Sequence, residues 1–429
     1  MPLLVDLNKK SATRQALSAH QGVTIEARHR NKPARYPWKV LHACESAGEI
    51  LALVEGQIVS GMRPFLLTPA GSGVAAAFSK QAKEATAPIS LLKTWSHVRE
   101  WRRLLHESAA ETSAEIIHAH SFASGMAAVR GSSSVVYQLR RAVEKIAAAA
   151  GHCSENSWLA HSFRVAEQFV LTRAAAVIVN HHCGRLECLE RGVRAENLFL
   201  IPNPVDPALL DSVPDREWLE QAAGGAPETT FFLIPAVPHA SWELRDAVLR
   251  WMRVLSIVAR GSSAVKFLFL ADSKSADTVN ELASACNLSD SVRVLPAAMR
   301  NKAMATADVV ICGREHAAEG FAIEALARGR ALLAADAEEH RDISADGRGC
   351  LWFRSGDVAD IAQRSHFLAG NAQFRQALGM AGREHCLATR SAEVVASQHD
   401  AVYRLAFSRR KGRETSPPRA QLIPLQVGG

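Results

Sequence analysis

The chain alternates short apolar runs with longer segments in which apolar residues recur at helical spacing. An uninterrupted apolar run is typical of a strand covered on both faces, and helices between such strands make the sheet parallel. The runs that predict strands in the first half are residues 38–43, 63–69, 115–121, 135–140, 175–180 and 198–201. We therefore predict an α/β fold with a parallel sheet flanked by helices.

The alternation starts again after residue 230, and it predicts a second parallel sheet. The apolar runs of this half are residues 231–235, 265–271, 292–295, 309–311 and 332–335. A chain of 429 residues with 48% hydrophobic content is long enough for two cores. We predict a Rossmann-like N-terminal domain over 38–206 and a Rossmann-like C-terminal domain over 207–385. A helix over 386–407 is expected to pack back across both domains.

The basic charge of the chain is concentrated at its two ends. The net charge is +7, of which residues 1–37 supply +5 and residues 408–429 supply +4, so the body between them carries −2. Both ends lack hydrophobic periodicity, and we predict disordered tails. Two roles stay open for them: solubilising segments, or peripheral contact with an anionic membrane. Nucleic acid is not an expected partner, because the tails lack interleaved aromatic residues and the body is close to neutral.

Signals for membrane insertion, export and disulfide formation are sparse. No apolar run reaches the roughly 18 residues of a transmembrane helix, and the N-terminal residues lack the apolar segment of a signal peptide. We expect a cytoplasmic protein, located at the inner face of the membrane if the tails bind lipid. The eight cysteines stand singly, without a C-x-x-C pair, so reduced and mostly buried thiols are expected.

Three carboxylates crowd one strand-to-helix corner in the second half. Glu315, Glu319 and Glu324 follow the apolar run at 309–311 and lead into a helix rich in Ala and Leu. Ligands bind at such corners of open parallel sheets, and a carboxylate there accepts hydrogen bonds from the vicinal hydroxyls of a sugar. The alternative is a solvated acidic loop in which Glu324 is a helix N-terminal charge favoured by the helix dipole.

Two histidines end a strand of the first half. His118 and His120 lie in the run 115–121, where alternation along the strand puts them on the same face of the sheet. A histidine at the carboxyl end of a strand is suited to contact a diphosphate or an acceptor hydroxyl. A metal site would need a third ligand, which the spacing does not supply. A hydrogen-bonded interior histidine is the structural alternative for both residues.

These segments resemble the glycosyltransferases of family 4, which have the GT-B fold. The resemblance rests on E-G-F-A-I-E-A-L-A-R-G at 319–329, on H-A-H-S at 118–121 with V-V-Y-Q-L-R at 135–140, and on I-P-N-P-V-D at 201–206. It implies two domains facing across a cleft, and transfer of a sugar from a nucleotide-sugar donor to a hydroxyl acceptor with retention of configuration. Polysaccharides and lipid-linked saccharides are the implied acceptors, and no metal cofactor is implied.

The resemblance also implies how the donor is held. Glu324 matches the glutamate that holds the nucleotide ribose, and Glu319 or Glu315 matches the one that reaches the donor sugar. Gly320 and Phe321 would shape the loop between them. The spacing departs from the family pattern, because neither Glu319 nor Glu315 stands at the family's distance from Glu324.

In the first half, the resemblance places Gly48 on the phosphate side of the donor, at the start of the first helix. His120, with His118 and Arg140, would face the acceptor and the leaving group. Gly48 also fits the approach of an anion to the free N–H groups of a helix N-terminus.

The chain lacks the Arg and Lys that neutralise the donor diphosphate in the family, since neither occurs at residues 235–242. Departure of a nucleotide diphosphate needs charge compensation. Arg245, Arg314 and Lys302 are the candidate replacements. The missing cations leave a second hypothesis open, namely a catalytically inactive GT-B scaffold or regulatory protein in polysaccharide biosynthesis.

Overall fold

The chain forms two compact units in a computed structural model. Unit 1 comprises Met1–Pro204 and Ala392–Gly429, and unit 2 comprises Val205–Ser391. The structure describes residues 3–6, 38–45, 50–68, 91–131, 134–149, 151–211, 213–234, 241–261, 264–313, 318–337, 340, 342–344 and 347–410. Each unit has its own sheet, and the predicted α/β class with two Rossmann-like parallel-sheet units is confirmed.

The sheet of unit 1 is parallel except at one edge. Its strands are β1 (Leu3–Asp6), β2 (Lys39–Ala43), β3 (Arg63–Thr68), β4 (Ile116–Ala119), β5 (Ser134–Leu139), β6 (Ala176–Val179) and β7 (Leu198–Leu200). Their spatial order is β1-β3-β2-β4-β5-β6-β7. β4, β5 and β6 are buried along their whole length, as expected for strands covered by helices on both faces.

β1 corrects part of the prediction of a disordered tail over residues 1–37. The apolar run L-L-V at 3–5 belongs to this strand, which pairs antiparallel with β3. The prediction rested on the net charge of the whole segment, which gives no sign of this short apolar run. Such a run is able to form an edge strand. Residues 7–37 lie outside the described part of the chain.

Helices connect the strands of unit 1. They are α1 (Leu51–Val59), α2 (Leu91–Thr112), α3 (Phe122–Ala128), α4 (Val143–Ala149), α5 (Trp158–Arg173) and α6 (His182–Glu190). α2 buries Val98, Trp101 and Leu105 in the same apolar cluster as Leu41 of β2, so its apolar stripe faces the sheet. α3 begins at the cap residue Ser121, whose hydroxyl accepts the backbone N–H of Ser124.

Unit 2 contains a fully parallel sheet. Its strands are β8 (Thr230–Ile234), β9 (Val265–Ala271), β10 (Val292–Pro296), β11 (Val309–Cys312), β12 (Ala331–Ala335) and β13 (Cys350–Phe353). Their spatial order is β10-β9-β8-β11-β12-β13. The chain therefore runs outward in one direction from β8 and in the other from β11, which makes this pair the topological switch point where open sheets bind ligands.

The helices of unit 2 are α7 (Arg216–Ala223), α8 (Ser241–Gly261), α9 (Ser273–Ala285), α10 (Arg300–Thr306), α11 (Ala318–Ala327), α12 (Val358–Gly370) and α13 (Ala372–Arg390). A 3-10 turn over Ala297–Met299 joins β10 to α10. α11 follows β11, so its residues lie beside the switch point. None of the helices in the described part of the chain combines the length and apolar content needed to cross a bilayer.

The last helix, α14 (Ala392–Arg410), is part of unit 1. Ser391, with extended backbone (φ −60°, ψ 150°), separates it from α13, so the single helix predicted over 386–407 is in fact two helices. Tyr403 of α14 is fully buried in an apolar cluster with Val40 of β2 and Ile116 of β4. α14 therefore covers the sheet of unit 1.

The C-terminal end of α14 is held by backbone contacts. Arg409 donates hydrogen bonds of 3.0 Å to the carbonyl oxygens of Ala175 and Glu196. The disordered tail predicted over 408–429 therefore starts too early, because residues 408–410 belong to α14 and Arg409 donates to two carbonyl groups of unit 1. Residues 411–429 lie outside the described residues.

Candidate active-site residues

Glu324 is buried in unit 2 between two arginines. It lies on α11 with 3% of its surface exposed. One carboxylate oxygen is in contact with Arg300, and the other lies 3.0 Å from the guanidinium of Arg328, one turn further along α11. The paired guanidinium groups offset the cost of burying the carboxylate. The structure thus places the predicted ribose-binding carboxylate in a strongly cationic setting.

Arg300 is the residue of this site that the sequence did not reveal. It is the first residue of α10, directly after the turn that follows β10. Its side chain is 45% exposed, and its guanidinium carbon lies 4.3 Å from the ring centroid of Phe321, a cation–π contact. Arg300 therefore touches two of the predicted donor residues, Phe321 and Glu324. The sequence feature that could have indicated Arg300 is its position shortly after the carboxyl end of a predicted strand.

The other residues predicted for the donor are only partly described. Gly320 is exposed on α11, and a Cβ built on it would meet no atom within 4 Å, so backbone there is open to approach. Glu319 is in α11, but its side chain lies outside the described part of the structure. Arg314, Glu315 and Gly48 also lie outside the described residues.

Two candidate replacements for the missing cations are engaged elsewhere in unit 2. Arg245 lies 3.1 Å from Glu281, and both side chains are more than half exposed. Lys302 lies 2.8 Å from Asp215 and 4.6 Å above the ring of Trp218. Neither pair includes Glu324, whose ion-pair partners among the described residues are Arg300 and Arg328.

In unit 1, three histidines come together at the carboxyl ends of two strands. His42 of β2 is the register partner of His118 of β4. The rings of His118 and His120 lie 4.0 Å apart between centroids, and His42 Nδ1 lies 3.0 Å from His120 Nε2. The third imidazole that spacing along the sequence did not supply therefore comes from the neighbouring strand. The pairing of β2 with β4 brings His42 next to His118. The two residues are far apart in the sequence, so linear spacing does not reveal that they are neighbours.

Hydrogen bonds from two helices hold this histidine cluster. His42 Nε2 lies 2.8 Å from Gln57 Oε1 of α1, and the Gln57 amide donates to the Tyr403 hydroxyl at 3.0 Å. That hydroxyl lies 2.8 Å from His118 Nδ1. His399 of α14 is also buried, with Nδ1 2.8 Å from the carbonyl oxygen of Val395. The rings are fixed by packing and hydrogen bonding together.

Burial keeps these imidazoles uncharged. Desolvation lowers the pKa of His42 to about 4 and that of His399 to about 4. Desolvation also lowers the pKa of His118 and His120, and the positive charge of Arg140, which follows β5, lowers both further. All four histidines are therefore neutral near pH 7. The charge of Arg140 acts on both rings, so the structure brings together the three residues assigned to the acceptor side.

A second polar cluster in unit 1 surrounds Glu45, just beyond β2. Its carboxylate accepts hydrogen bonds from the Trp101 indole at 3.1 Å and the Ser121 hydroxyl at 3.0 Å, and it lies 3.3 Å from His97 Nε2. The hydrogen bond to Glu45 raises the pKa of His97. Glu45 thus ties α2 and the start of α3 to the same edge of the sheet as His120.

The sequence matches one known protein family over unit 1. The model of the Glycosyl transferase 4-like domain matches residues 49–204. No curated protein matches the chain. The match covers β3 to β7, and it includes the two strands that lead to His120 and Arg140.

Solved structures similar to this chain extend over both units. A glycosyltransferase from Rickettsia africae has a TM-score of 0.62 at 14% identity, over 86% of this chain and 98% of its own. Sucrose-phosphate synthase from Thermosynechococcus elongatus has a TM-score of 0.60 at 15% identity, over 87% and 100%. Anabaena HepE in complex with UDP has a TM-score of 0.59 at 17% identity, over 85% and 98%. At such identities these similarities establish the fold.

The chain therefore has the GT-B fold, and its first unit carries a glycosyl transferase 4-like domain. The resemblance to GT-B glycosyltransferases is thus confirmed in fold over both units and in sequence over residues 49–204.

Proposed function

We propose that this protein transfers a sugar from a nucleotide-sugar donor to a hydroxyl acceptor, with retention of the anomeric configuration. The observation that carries the proposal is the buried Glu324 carboxylate, placed beside the switch point of the unit 2 sheet and paired with a partly exposed arginine. The matched family model and the GT-B fold support the same reaction class.

Glu324 has acceptor capacity left for a ribose. A carboxylate has about four lone-pair sites, and each oxygen here faces one guanidinium. The remaining sites suit the two vicinal hydroxyls of a ribose, which donate charge-assisted hydrogen bonds to a fixed carboxylate. Arg328 is buried and orients the carboxylate through its ion pair, so it acts as a positioning residue.

Arg300 supplies the cation that residues 235–242 do not. Its guanidinium is close to Glu324 and lies over Phe321, yet almost half of the side chain faces solvent. A bound diphosphate would gain a planar bidentate donor at this position. Charge on the leaving group is then compensated by a side chain, so the transfer itself needs no metal ion.

The acceptor side is assigned to unit 1. His118 lies in β4, His120 directly follows it and Arg140 directly follows β5, and we assign these three residues to the side that faces the acceptor and the leaving group. We expect a saccharide acceptor, either a polysaccharide or a lipid-linked sugar. The basic chain ends would let a cytoplasmic enzyme approach an anionic membrane that carries a lipid-linked acceptor.

The donor is tested with UDP-glucose, GDP-mannose and ADP-glucose. HepE was solved with UDP and with UDP-glucose, so the uridine donor is the first choice. Without acceptor, the full chain should hydrolyse one donor slowly, and proton NMR should detect the α-anomer of the released sugar before mutarotation. Release of the β-anomer would contradict retention. No turnover of any donor, with or without added saccharides, would contradict the proposed reaction.

A further inference from the structure

The histidine cluster of unit 1 has the composition and geometry of a metal site. His42, His118 and His120 are all buried, and one ring nitrogen from each lies within 4.8 Å of the other two. We propose that these three side chains bind a first-row divalent cation, with Zn²⁺ as the ion that the ligand set fits best. The proposal concerns unit 1 alone and does not rest on the proposed transferase function.

The protonation of two rings supports this assignment. His42 Nε2 donates to Gln57 Oε1, so its Nδ1, which faces His120, carries a bare lone pair. His399 Nδ1 lies 2.8 Å from a backbone carbonyl oxygen, which only accepts, so His399 Nε2 is also unprotonated. A histidine that ligates a metal characteristically donates its other ring N–H to a carbonyl, carboxylate or similar acceptor. Both rings already have that arrangement.

Several nitrogens in the cluster have no hydrogen-bond partner among the described residues. They are His118 Nε2, His120 Nδ1 and His399 Nε2, and all three atoms are shielded from solvent. Buried polar side-chain atoms are normally paired, so a group of orphaned ring nitrogens in one place requires an explanation. A cation explains His118 Nε2, because an unprotonated nitrogen there then gains a coordinate bond.

The observed spacing is compatible with coordination. His42 Nδ1 and His120 Nε2 are 3.0 Å apart, whereas two nitrogens bound tetrahedrally to zinc lie about 3.3 Å apart. Small side-chain shifts therefore convert the hydrogen-bonded pair into two ligands. The His399 ring lies 5.5 Å from that of His118 between centroids. His399 is not among the three residues whose ring nitrogens lie within 4.8 Å of one another, so a water molecule would fill the fourth position of a tetrahedral site.

The ligand set selects the class of ion. Imidazole suits Zn²⁺, Cu²⁺ and Ni²⁺, whereas Mg²⁺ and Ca²⁺ require oxygen ligands. Metal ligation needs neutral imidazole, and all three rings are buried away from solvent. The Tyr403 hydroxyl, 2.8 Å from His118 Nδ1, is placed to orient that ring. Zn²⁺ is therefore our choice over the harder cations.

The test is a Co²⁺ titration of the full chain after treatment with a chelator. We expect one equivalent of Co²⁺ to give the intense visible absorption of a tetrahedral site, and Zn²⁺ to displace it. His42→Gln should weaken binding at least tenfold. Gln57→Leu, which removes the group that orients His42, should weaken it roughly ten- to a hundredfold. His161→Gln is the matched control, because His161 is an exposed histidine of unit 1, and it should bind as the wild type does.

Either of two results would overturn the assignment. One is a wild-type chain that binds no Co²⁺ and no Zn²⁺ at stoichiometric concentrations. The other is a folded His42→Gln chain with the same metal affinity as His161→Gln. If His42→Gln does not fold, X-ray absorption of the zinc-loaded wild type decides the question. At least three imidazole ligands support the site, and fewer than three exclude it.

Discussion

Arg300 and Glu324 form an ion pair that joins the first residue of α10 to the buried face of α11. The pair is asymmetric, because Glu324 is buried while almost half of the Arg300 side chain faces solvent. The fixed partner is therefore the carboxylate, and the guanidinium is the partner that is able to turn toward a ligand. We propose that Arg300, held in this pair, takes the role of the cations that are missing from residues 235–242.

Replacing Arg300 by alanine should weaken nucleotide diphosphate binding by roughly tenfold or more, equivalent to about 1.4 kcal/mol. The physical reason is the loss of a charge-assisted contact to the diphosphate. Isothermal titration calorimetry with the preferred nucleotide measures the change in the dissociation constant. Arg245→Ala is the matched control, since Arg245 is exposed and paired with Glu281. Equal losses in the two variants would remove Arg300 from the donor site.

Arg191 holds a cluster of acidic side chains in unit 1. It contacts Glu144 and Glu187, and it lies 3.1 Å from Glu167. Glu144 and Glu167 are each 1% exposed, so Arg191→Met leaves buried Glu167 without its cation and Glu144 with only the half-exposed Arg164. We expect a loss of about 3–5 kcal/mol in the free energy of unfolding, measured by urea titration with circular dichroism.

Arg164 offers the control for that prediction. It lies 3.3 Å from the same Glu144 carboxylate, but its side chain is 49% exposed. Arg164→Met should therefore cost less than about 1 kcal/mol. If both variants lose the same stability, burial is not what gives Arg191 its importance.

The pair of His97 and Glu45 predicts a pH effect on stability. The hydrogen bond to Glu45 raises the pKa of His97 above its unfolded value of about 6.5. The stabilisation is therefore fully present below about pH 6.5 and is lost as the pH rises through the folded-state pKa. Glu45→Gln should cost more stability at pH 6 than at pH 8. An NMR titration that finds the same His97 pKa in wild type and variant would contradict this.

Gly56 sets the closeness of α1 and α14. A Cβ on Gly56 would lie 2.2 Å from the carbonyl oxygen of Ala392, so Gly56→Ala forces the helices apart and should cost about 1–3 kcal/mol. Gly184 of α6 is the control, because its added Cβ would meet Val179 no closer than 3.6 Å. Gly184→Ala should be neutral or slightly stabilising. Thermal unfolding measures the stability of the two variants. A Gly56→Ala chain as stable as the Gly184→Ala chain would contradict the prediction and show that α14 is free to move away from α1.

Hydrophobic periodicity predicted both sheets and every described strand except β1 and β13. The run at 115–121 predicts the strand that the structure places at Ile116–Ala119, and 135–140 predicts Ser134–Leu139. Buried parallel strands give strong signals because their apolar residues are continuous. β1 was missed, because three apolar residues in a basic segment carry too little pattern to stand out.

Contacts within the sites were harder to predict from the sequence. The H-A-H-S motif indicated His118 and His120, but His42 joins them only through the register of β2 with β4. Arg300 likewise reaches Glu324 from a different connection of the same sheet. Such pairs depend on strand order and on the angles at which helices leave the sheet, and linear spacing contains neither.

The central claim is that unit 2 holds a nucleotide through Glu324. Calorimetric titration of the purified full chain with UDP, GDP and ADP tests it most directly, together with Glu324→Gln and the exposed control Glu281→Gln. We predict that one nucleotide binds with a dissociation constant in the micromolar range, that Glu324→Gln weakens it roughly tenfold or more, and that Glu281→Gln leaves it unchanged. Binding of none of the three below about a millimolar, or equal binding by the Glu324→Gln chain, would contradict the claim and favour the inactive scaffold.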